Sequence, residues 1–352
     1  MLSIGNDMCK KLLMLLLLLT PALAVQAAPD TETPPKILSK KVIPNKPAVK
    51  KTASRLATPK KHRTSSRKHR AITKKHHKII ARHSVPNHAQ MVSAHSVSPK
   101  LGSSIALIYD EQEQRPLFSK NANAVAPIAS ITKLMTAIVV LDAELPLDEK
   151  ITISEFDFDT LKGTHSRMRA GMTLTRGELL NLALMSSENR AAAALARTYP
   201  GGTNVAVAKM NAKARELGMT HTHFLDATGL NSGNTSTAQD LVRMLSAAKH
   251  YKAIHEYSTT ASHMVEAPGF PPLRFGNTNP LVKNASWDIG VSKTGYINEA
   301  GRCLVMQAHI MQRPVIIVLL DSQGKHTRVG DANRIKKWME TSAMRGRNIQ
   351  RG

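Results

Sequence analysis

From residue 101 onward, apolar positions follow two patterns. Near both ends of this stretch they form short runs: 104–110 (SIALIYD) and 115–119, joined by the polar Glu111-Gln112-Glu113-Gln114, then 289–293, 302–309 and 314–320. Runs of this length, divided by Asn298-Glu299-Ala300-Gly301 and Met311-Gln312-Arg313, predict strands, with a hairpin opening the domain. Between them apolar residues recur at helical spacing. Leu134, Met135, Ile138 and Val139 form one stripe after Pro127, and Thr175-Arg176-Gly177-Glu178 is a capping box ahead of a helix over 179–185. Residues 191–196 make an alanine-rich helix, and Ser236 or Thr237 caps another running through Asp240, Leu241 and Met244. Val329, Ala332, Ile335 and Met339 mark a last helix over 328–344. The implied class is α/β (α+β): an antiparallel sheet made from both chain ends, covered by helices, with a mainly helical insertion.

The first 27 residues have a different pattern. Lys10 and Lys11 precede an apolar stretch over 12–19, a break at Thr20-Pro21 and a small-residue site at Val25-Gln26-Ala27, with Ala24 as a competing cleavage point. This reads as a secretory signal, too short to span a membrane. Cys9 lies ahead of the apolar stretch, where a lipoprotein cysteine would not sit, so removal of the signal leaves Cys303 alone and no intrachain disulfide. The expectation is a soluble protein secreted across the inner membrane into the periplasm.

Charge then divides the chain. The formal net charge is +24, and residues 28–100 supply most of it: 18 Lys and Arg against Asp30 and Glu32, with seven histidines and no aromatic residue. Such a segment cannot bury enough apolar surface to offset its chain entropy, so a disordered basic tail is predicted over 28–100, ahead of a folded domain over 101–344 and a short basic end over 345–352. The tail is either a solvated linker or a binder of anionic cell-wall polymer or lipid head groups. Specific nucleic-acid binding is not expected, because export removes the partner and no aromatic is present to stack on bases. The histidines show no two-plus-two metal spacing.

Three short motifs carry the chemistry: Ser130-Ile131-Thr132-Lys133, Ser187-Glu188-Asn189 and Lys293-Thr294-Gly295. Ser-x-x-Lys also occurs at Ser65, Ser246 and Ser322, and Ser-x-Asn recurs at Ser232-Gly233-Asn234, which reads as a turn; Lys-Thr-Gly occurs once. Ser130 is expected in the first turn of the helix after Pro127, where free amides favour developing negative charge, with Lys133 one turn on along the same face. A lysine in an apolar pocket has a lowered proton affinity and can serve as a base; an isolated Ser-x-x-Lys would more simply be a surface lysine. Ser187 and Asn189 sit on an interhelical turn, able to relay a proton and to hold a substrate amide. Lys293-Thr294-Gly295 is expected to end a strand whose glycine lets an extended peptide approach, and the Tyr296 amide could join that of Ser130 in an oxyanion hole.

On these residues the chain resembles the low-molecular-mass penicillin-binding proteins, the D-alanyl-D-alanine peptidases among the penicillin-recognising serine hydrolases, with a β-lactamase/transpeptidase-like fold. The stretches PIASITKLMT (127–136), MSSENRAA (185–192) and KTGYINEAGR (293–302) resemble the endopeptidase branch in particular. The resemblance implies cleavage of peptidoglycan peptide cross-links without metal or cofactor, and β-lactams as covalent inhibitors. It implies Ser130 as acylated nucleophile, Lys133 as its base, Ser187 as relay and Asn189 as amide ligand, with Lys293, Thr294, Gly295 and Tyr296 binding substrate. Arg328 matches by position an arginine that assists carboxylate recognition. The Ser187–Lys293 pair is an alternative acylation base. Alternative functions are a D-alanyl-D-alanine carboxypeptidase and a non-catalytic cell-wall-binding protein. A β-lactamase is disfavoured, because Glu178 and Asn181 precede Ser187 and fall inside a helix. The additional β-rich domain and amphipathic anchor helix of many relatives have no counterpart after the last helix, so anchoring by that route is not expected, and the basic tail lies outside the family pattern.

Overall fold

The structure, a computed structural model, describes residues 98–349; the signal segment, residues 28–97 of the tail and the last three residues lie outside them. In chain order the strands are β1 (Ser103–Asp110), β2 (Arg115–Lys120), β3 (Ala126–Pro127), β4 (Lys150–Thr152), β5 (Thr173–Thr175), β6 (Thr235–Ser236), β7 (Ser262–Val265), β8 (Leu273–Gly276), β9 (Asp288–Ile297), β10 (Gly301–Ile310) and β11 (Arg313–Ser322). The helices are α1 (Thr132–Asp142), α2 (Arg176–Met185), α3 (Asn189–Arg197), α4 (Gly202–Glu216), α5 (Ala238–Ala248), α6 (Lys252–Thr259) and α7 (Thr327–Ile349).

The main sheet runs β2-β1-β11-β10-β9, so its middle is where the two ends of the domain meet. β1 pairs antiparallel with β11, Ile105 opposite Leu320 and Ile108 opposite Ile317. Three small ladders, β3–β6, β4–β5 and β7–β8, lie in the insertion. The continuous run Val315-Ile316-Ile317-Val318-Leu319-Leu320 belongs to a strand covered on both faces. Ile316, Val318 and Leu320 enter the core shared with the helical insertion, while Val315, Ile317 and Leu319 pack with Ala332, Ile335 and Met339 of α7. The capping box before α2 forms as read, with Thr175 and Glu178 bonding each other's amides. Thr237, not Ser236, caps α5; Ser236 Oγ pairs with Thr222 instead.

Two boundaries and the burial of one helix differ from expectation. β9 continues through Lys293-Thr294-Gly295 to Ile297, because its hairpin to β10 closes only at residues 298–300. α7 extends past residue 344 to Ile349. α1 has no exposed face over Thr132–Val140, since the insertion wraps it on all sides, and the apolar stripe is only the part of that burial visible in sequence.

Candidate active site

Ser130 stands on a single 3₁₀ turn, Ala129–Ile131, outside the first turn of α1, which begins at Thr132. The turn is strained, Ala129 having φ +47°, and two glycines close upon it. A Cβ on Gly229 would meet Ala129 O at 2.0 Å; one on Gly295 would lie 2.9 Å from Ile128 O and 3.1 Å from Ser130 N. The space left by the missing side chain of Gly295 is therefore taken by the turn that carries Ser130, not left for a peptide. A peptide has the hydrogen-bonding edge of β9 available, since β9 is the last strand of the sheet.

Lys133 is fully buried, not a surface lysine. Its Nζ donates to Ser130 Oγ at 2.9 Å, Asn189 Oδ1 at 2.7 Å and the Thr228 carbonyl at 2.6 Å, which uses the three donors an ammonium has. Burial pushes its pKa down to about 7, against the opposing pull of Asp226 and Glu188. Across the site Lys293, 1 % exposed, donates to Ser187 Oγ at 2.8 Å and to the Thr294 carbonyl at 2.9 Å. Burial, then the charges of Lys133 and Arg328, drive its pKa well below the ordinary lysine value. Ser187 links α2 to α3 at φ +62°, and Asn189 opens α3.

The remaining expected residues sit along β9. Thr294 Oγ1 donates to Thr278 Oγ1 at 2.6 Å. Tyr296 is half exposed, its ring covered by the Arg302 guanidinium at 4.4 Å. Arg328, on α7, donates to the Gly295 carbonyl at 3.2 Å and so braces the strand. Burial and neighbouring Arg302 lower its pKa.

Several residues at the site were not singled out in sequence. Thr228 contributes a backbone carbonyl, and Asp226 shapes its loop by accepting from the amides of Thr228 (2.6 Å), Gly229 (2.5 Å) and Asn231 (2.6 Å). Asn234 sits in the turn read at Ser232-Gly233-Asn234, but it is fully buried: its Oδ1 accepts from Leu225 N, and its Nδ2 donates to Thr132 Oγ1 and Asp226 O. An Asp-x-Thr-Gly followed by a dense Asn/Gly/Ser stretch was the available signal. The other serine–lysine spacings have local partners: Lys249 pairs with Glu111 at 2.7 Å and Ser322 Oγ with Ser103 Oγ at 2.7 Å, while Ser65 lies outside the described residues. Beside Asn189 and Thr228 opens a cavity of about 510 Å³ walled in part by Phe156, Phe158, Leu161 and Leu230. Among the described residues no group of three His, Cys, Asp or Glu side chains is placed to hold a metal ion, and no helix is long and apolar enough to cross a membrane.

No histidine among the described residues is bonded to Ser130, Lys133, Ser187 or Lys293, so a proton leaving Ser130 has amines as its nearest acceptors. A serine bonded to a buried amine is an arrangement suited to acyl transfer without histidine. Residues 90–324 match the Peptidase S11 family, D-alanyl-D-alanine carboxypeptidase, and the chain belongs to this family of serine peptidases. It is 49 % identical over 244 residues to a D-alanyl-D-alanine endopeptidase of Pseudomonas aeruginosa, covering 69 % of this chain and 78 % of that one. It is 47 % identical over 245 residues to a D-alanyl-D-alanine endopeptidase of Escherichia coli, covering 69 % and 79 %. The crystal structure of the Streptomyces K15 DD-transpeptidase has a TM-score of 0.64 at 28 % identity, covering 69 % of this chain and 98 % of that one.

Proposed function

We propose that the chain is a D-alanyl-D-alanine endopeptidase that hydrolyses peptidoglycan peptide cross-links through an acyl-enzyme on Ser130. The observation that carries the chemistry is Lys133 Nζ, buried and 2.9 Å from Ser130 Oγ with its pKa near 7. The endopeptidase preference is supported by the two relatives of that name that share nearly half of the aligned residues.

Ser130 Oγ attacks the D-alanyl carbonyl while Lys133 takes its proton. The oxyanion is held by the amides of Ser130 and Tyr296, the C–N bond breaks, and the leaving amine takes a proton passed through Ser187 from the lysine pair. Water then hydrolyses the ester, releasing the D-alanyl carboxylate and restoring Ser130. Asn189 orients the substrate amide, and Thr294 with Arg328 and Lys293 receives the carboxylate of the leaving residue. The cavity beside Asn189 has room for part of the acyl-side stem peptide. A penicillin acylates the same serine. Catalysis takes place in the periplasm, after export directed by residues 1–27.

A carboxypeptidase passes through the same acyl-enzyme and differs only in what leaves. Incubation with cross-linked dimeric and with pentapeptide muropeptides, followed by mass analysis, separates them: monomers from the dimer are expected, and release of D-alanine from the pentapeptide alone would reverse the assignment. For the basic tail, the 18 cations against two acids support attachment to an anionic wall polymer. A chain beginning at Leu101 should cleave soluble muropeptides normally but sediment less with intact sacculi, and the gap should close as salt is raised. Equal sedimentation at low salt would leave the tail a linker.

A further inference from the structure

The segment between β4 and β5 holds a chain of hydrogen bonds outside the three motifs. One oxygen of Asp159 accepts from the amides of Leu161 (2.8 Å) and Lys162 (2.9 Å); the other accepts the amide (2.8 Å) and the hydroxyl (2.7 Å) of Thr164. A hydroxyl has one proton, and that of Thr164 is given to Asp159, so its oxygen can only accept on its other side. There Asn189 Nδ2 donates to it at 2.9 Å. With the nitrogen end of the amide directed at Thr164, the oxygen end faces Lys133 Nζ at 2.7 Å. Burial alone would raise the Asp159 pKa, but the Thr164 hydroxyl and the loop amides hold it below the usual carboxylate range, so it remains an acceptor at working pH. The loop is also fastened to the opposite wall: Lys162 Nζ reaches Glu299 Oε1 at 2.5 Å, in the turn between β9 and β10.

We infer that Asp159 and Thr164 are positioning residues for acyl transfer, fixing the Asn189 amide so that its oxygen meets Lys133 and holds Nζ on Ser130. The inference rests on the reading of Lys133 as proton acceptor. The charged groups that face Lys133 are Glu188 at the head of α3, Asp226 in the loop after α4 and Lys293 on β9. Against that background the Asn189 oxygen favours the charged amine, and removing it should lower the proton affinity of Lys133.

The test is the rate of acylation by a labelled penicillin, followed from pH 5 to 9 on the full chain, with thermal unfolding as a check of folding. Wild type should lose rate on the acid side of neutrality as Lys133 becomes protonated. Thr164→Val should lower the plateau about 10-fold, the scale of a modest misplacement of a reacting group, and move the acid limb to lower pH. Asp159→Asn should shift both in the same direction, and Thr164→Ser should restore both. A folded Thr164→Val with plateau and limb unchanged would overturn the inference, as would a lower plateau with the limb in place. A wild-type rate with no acid limb would instead count against Lys133 as the acceptor; the plateau of Thr164→Val against Thr164→Ser would then still decide whether the Asn189 amide is being positioned.

Discussion

Lys133 and Lys293 are both buried, and each is bonded to a serine, but their surroundings differ in sign. Lys133 lies within reach of Asp226 and Glu188, which offset part of the cost of burying its charge and leave its pKa near 7. Lys293 has cations for neighbours, Lys133 and Arg328, so their repulsion adds to burial. Glu188 in turn is raised by burial, against the Ser166 hydroxyl and the charges of Arg167, Lys133 and Arg190. The difference assigns the two amines distinct duties. Near neutrality Lys133 can gain and lose a proton, whereas for Lys293 burial and two cationic neighbours all act against the charged form.

The comparison is broken most directly by removing each amine in turn. Lys133→Ala and Lys293→Ala should each slow acylation by penicillin on the order of 100-fold or more, the scale for losing a proton-transfer partner. They should differ in pH dependence. Lys293→Ala should retain the acid limb near neutrality, because Lys133 is still present, and Lys133→Ala should lose it. A limb that disappears in Lys293→Ala would exchange the two roles.

A smaller loss is expected from the clamp that keeps the amines in register with the serine. Gly295→Ala places a Cβ 2.9 Å from Ile128 O and 3.1 Å from Ser130 N, so the turn carrying Ser130 must shift against β9. A fall of roughly 10- to 100-fold in acylation rate is expected in the folded variant, the scale for displacing a reacting group by a fraction of an ångström to an ångström. A rate equal to wild type would mean that the turn adapts freely.

The last effect is on stability. Lys133 has a pKa of about 7 in the folded protein against 10.5 for an ordinary lysine. Between those two values the unfolded chain binds more protons than the folded one, so this residue makes stability rise with pH across that window and weakens the fold below it. Lys133→Met, which fills the space without a charge, should flatten that part of the curve in urea unfolding at pH 7, 8 and 9. Parallel curves for the two proteins would contradict a lowered Lys133 pKa.

What could be read from sequence, and what could not, follows from where the determinants lie. Ser130, Lys133, Ser187, Asn189 and Lys293 are side chains in short motifs, and the two-ended sheet was legible because its strands are compact apolar runs. The carbonyl of Thr228 left no trace, since a backbone acceptor has no residue signature. Thr164 and Thr278 were hidden for a related reason: each acts by one hydroxyl from a segment with no periodic pattern. The burial of Lys133 was legible only through the motif, because the insertion that encloses α1 is assembled from elements far along the chain. Gly295 was recognised but its reason was misread. Which surface a missing side chain accommodates depends on the 3₁₀ turn packed against it, and no spacing within β9 reveals that.

The site of covalent attachment tests the account most directly. After reaction with a labelled penicillin and proteolysis, mass analysis should find one acyl group per chain, on Ser130, and none after Ser130→Ala, while Ser246→Ala and Ser322→Ala label as wild type. An adduct on any other serine of the native protein, or undiminished labelling of Ser130→Ala, would contradict it.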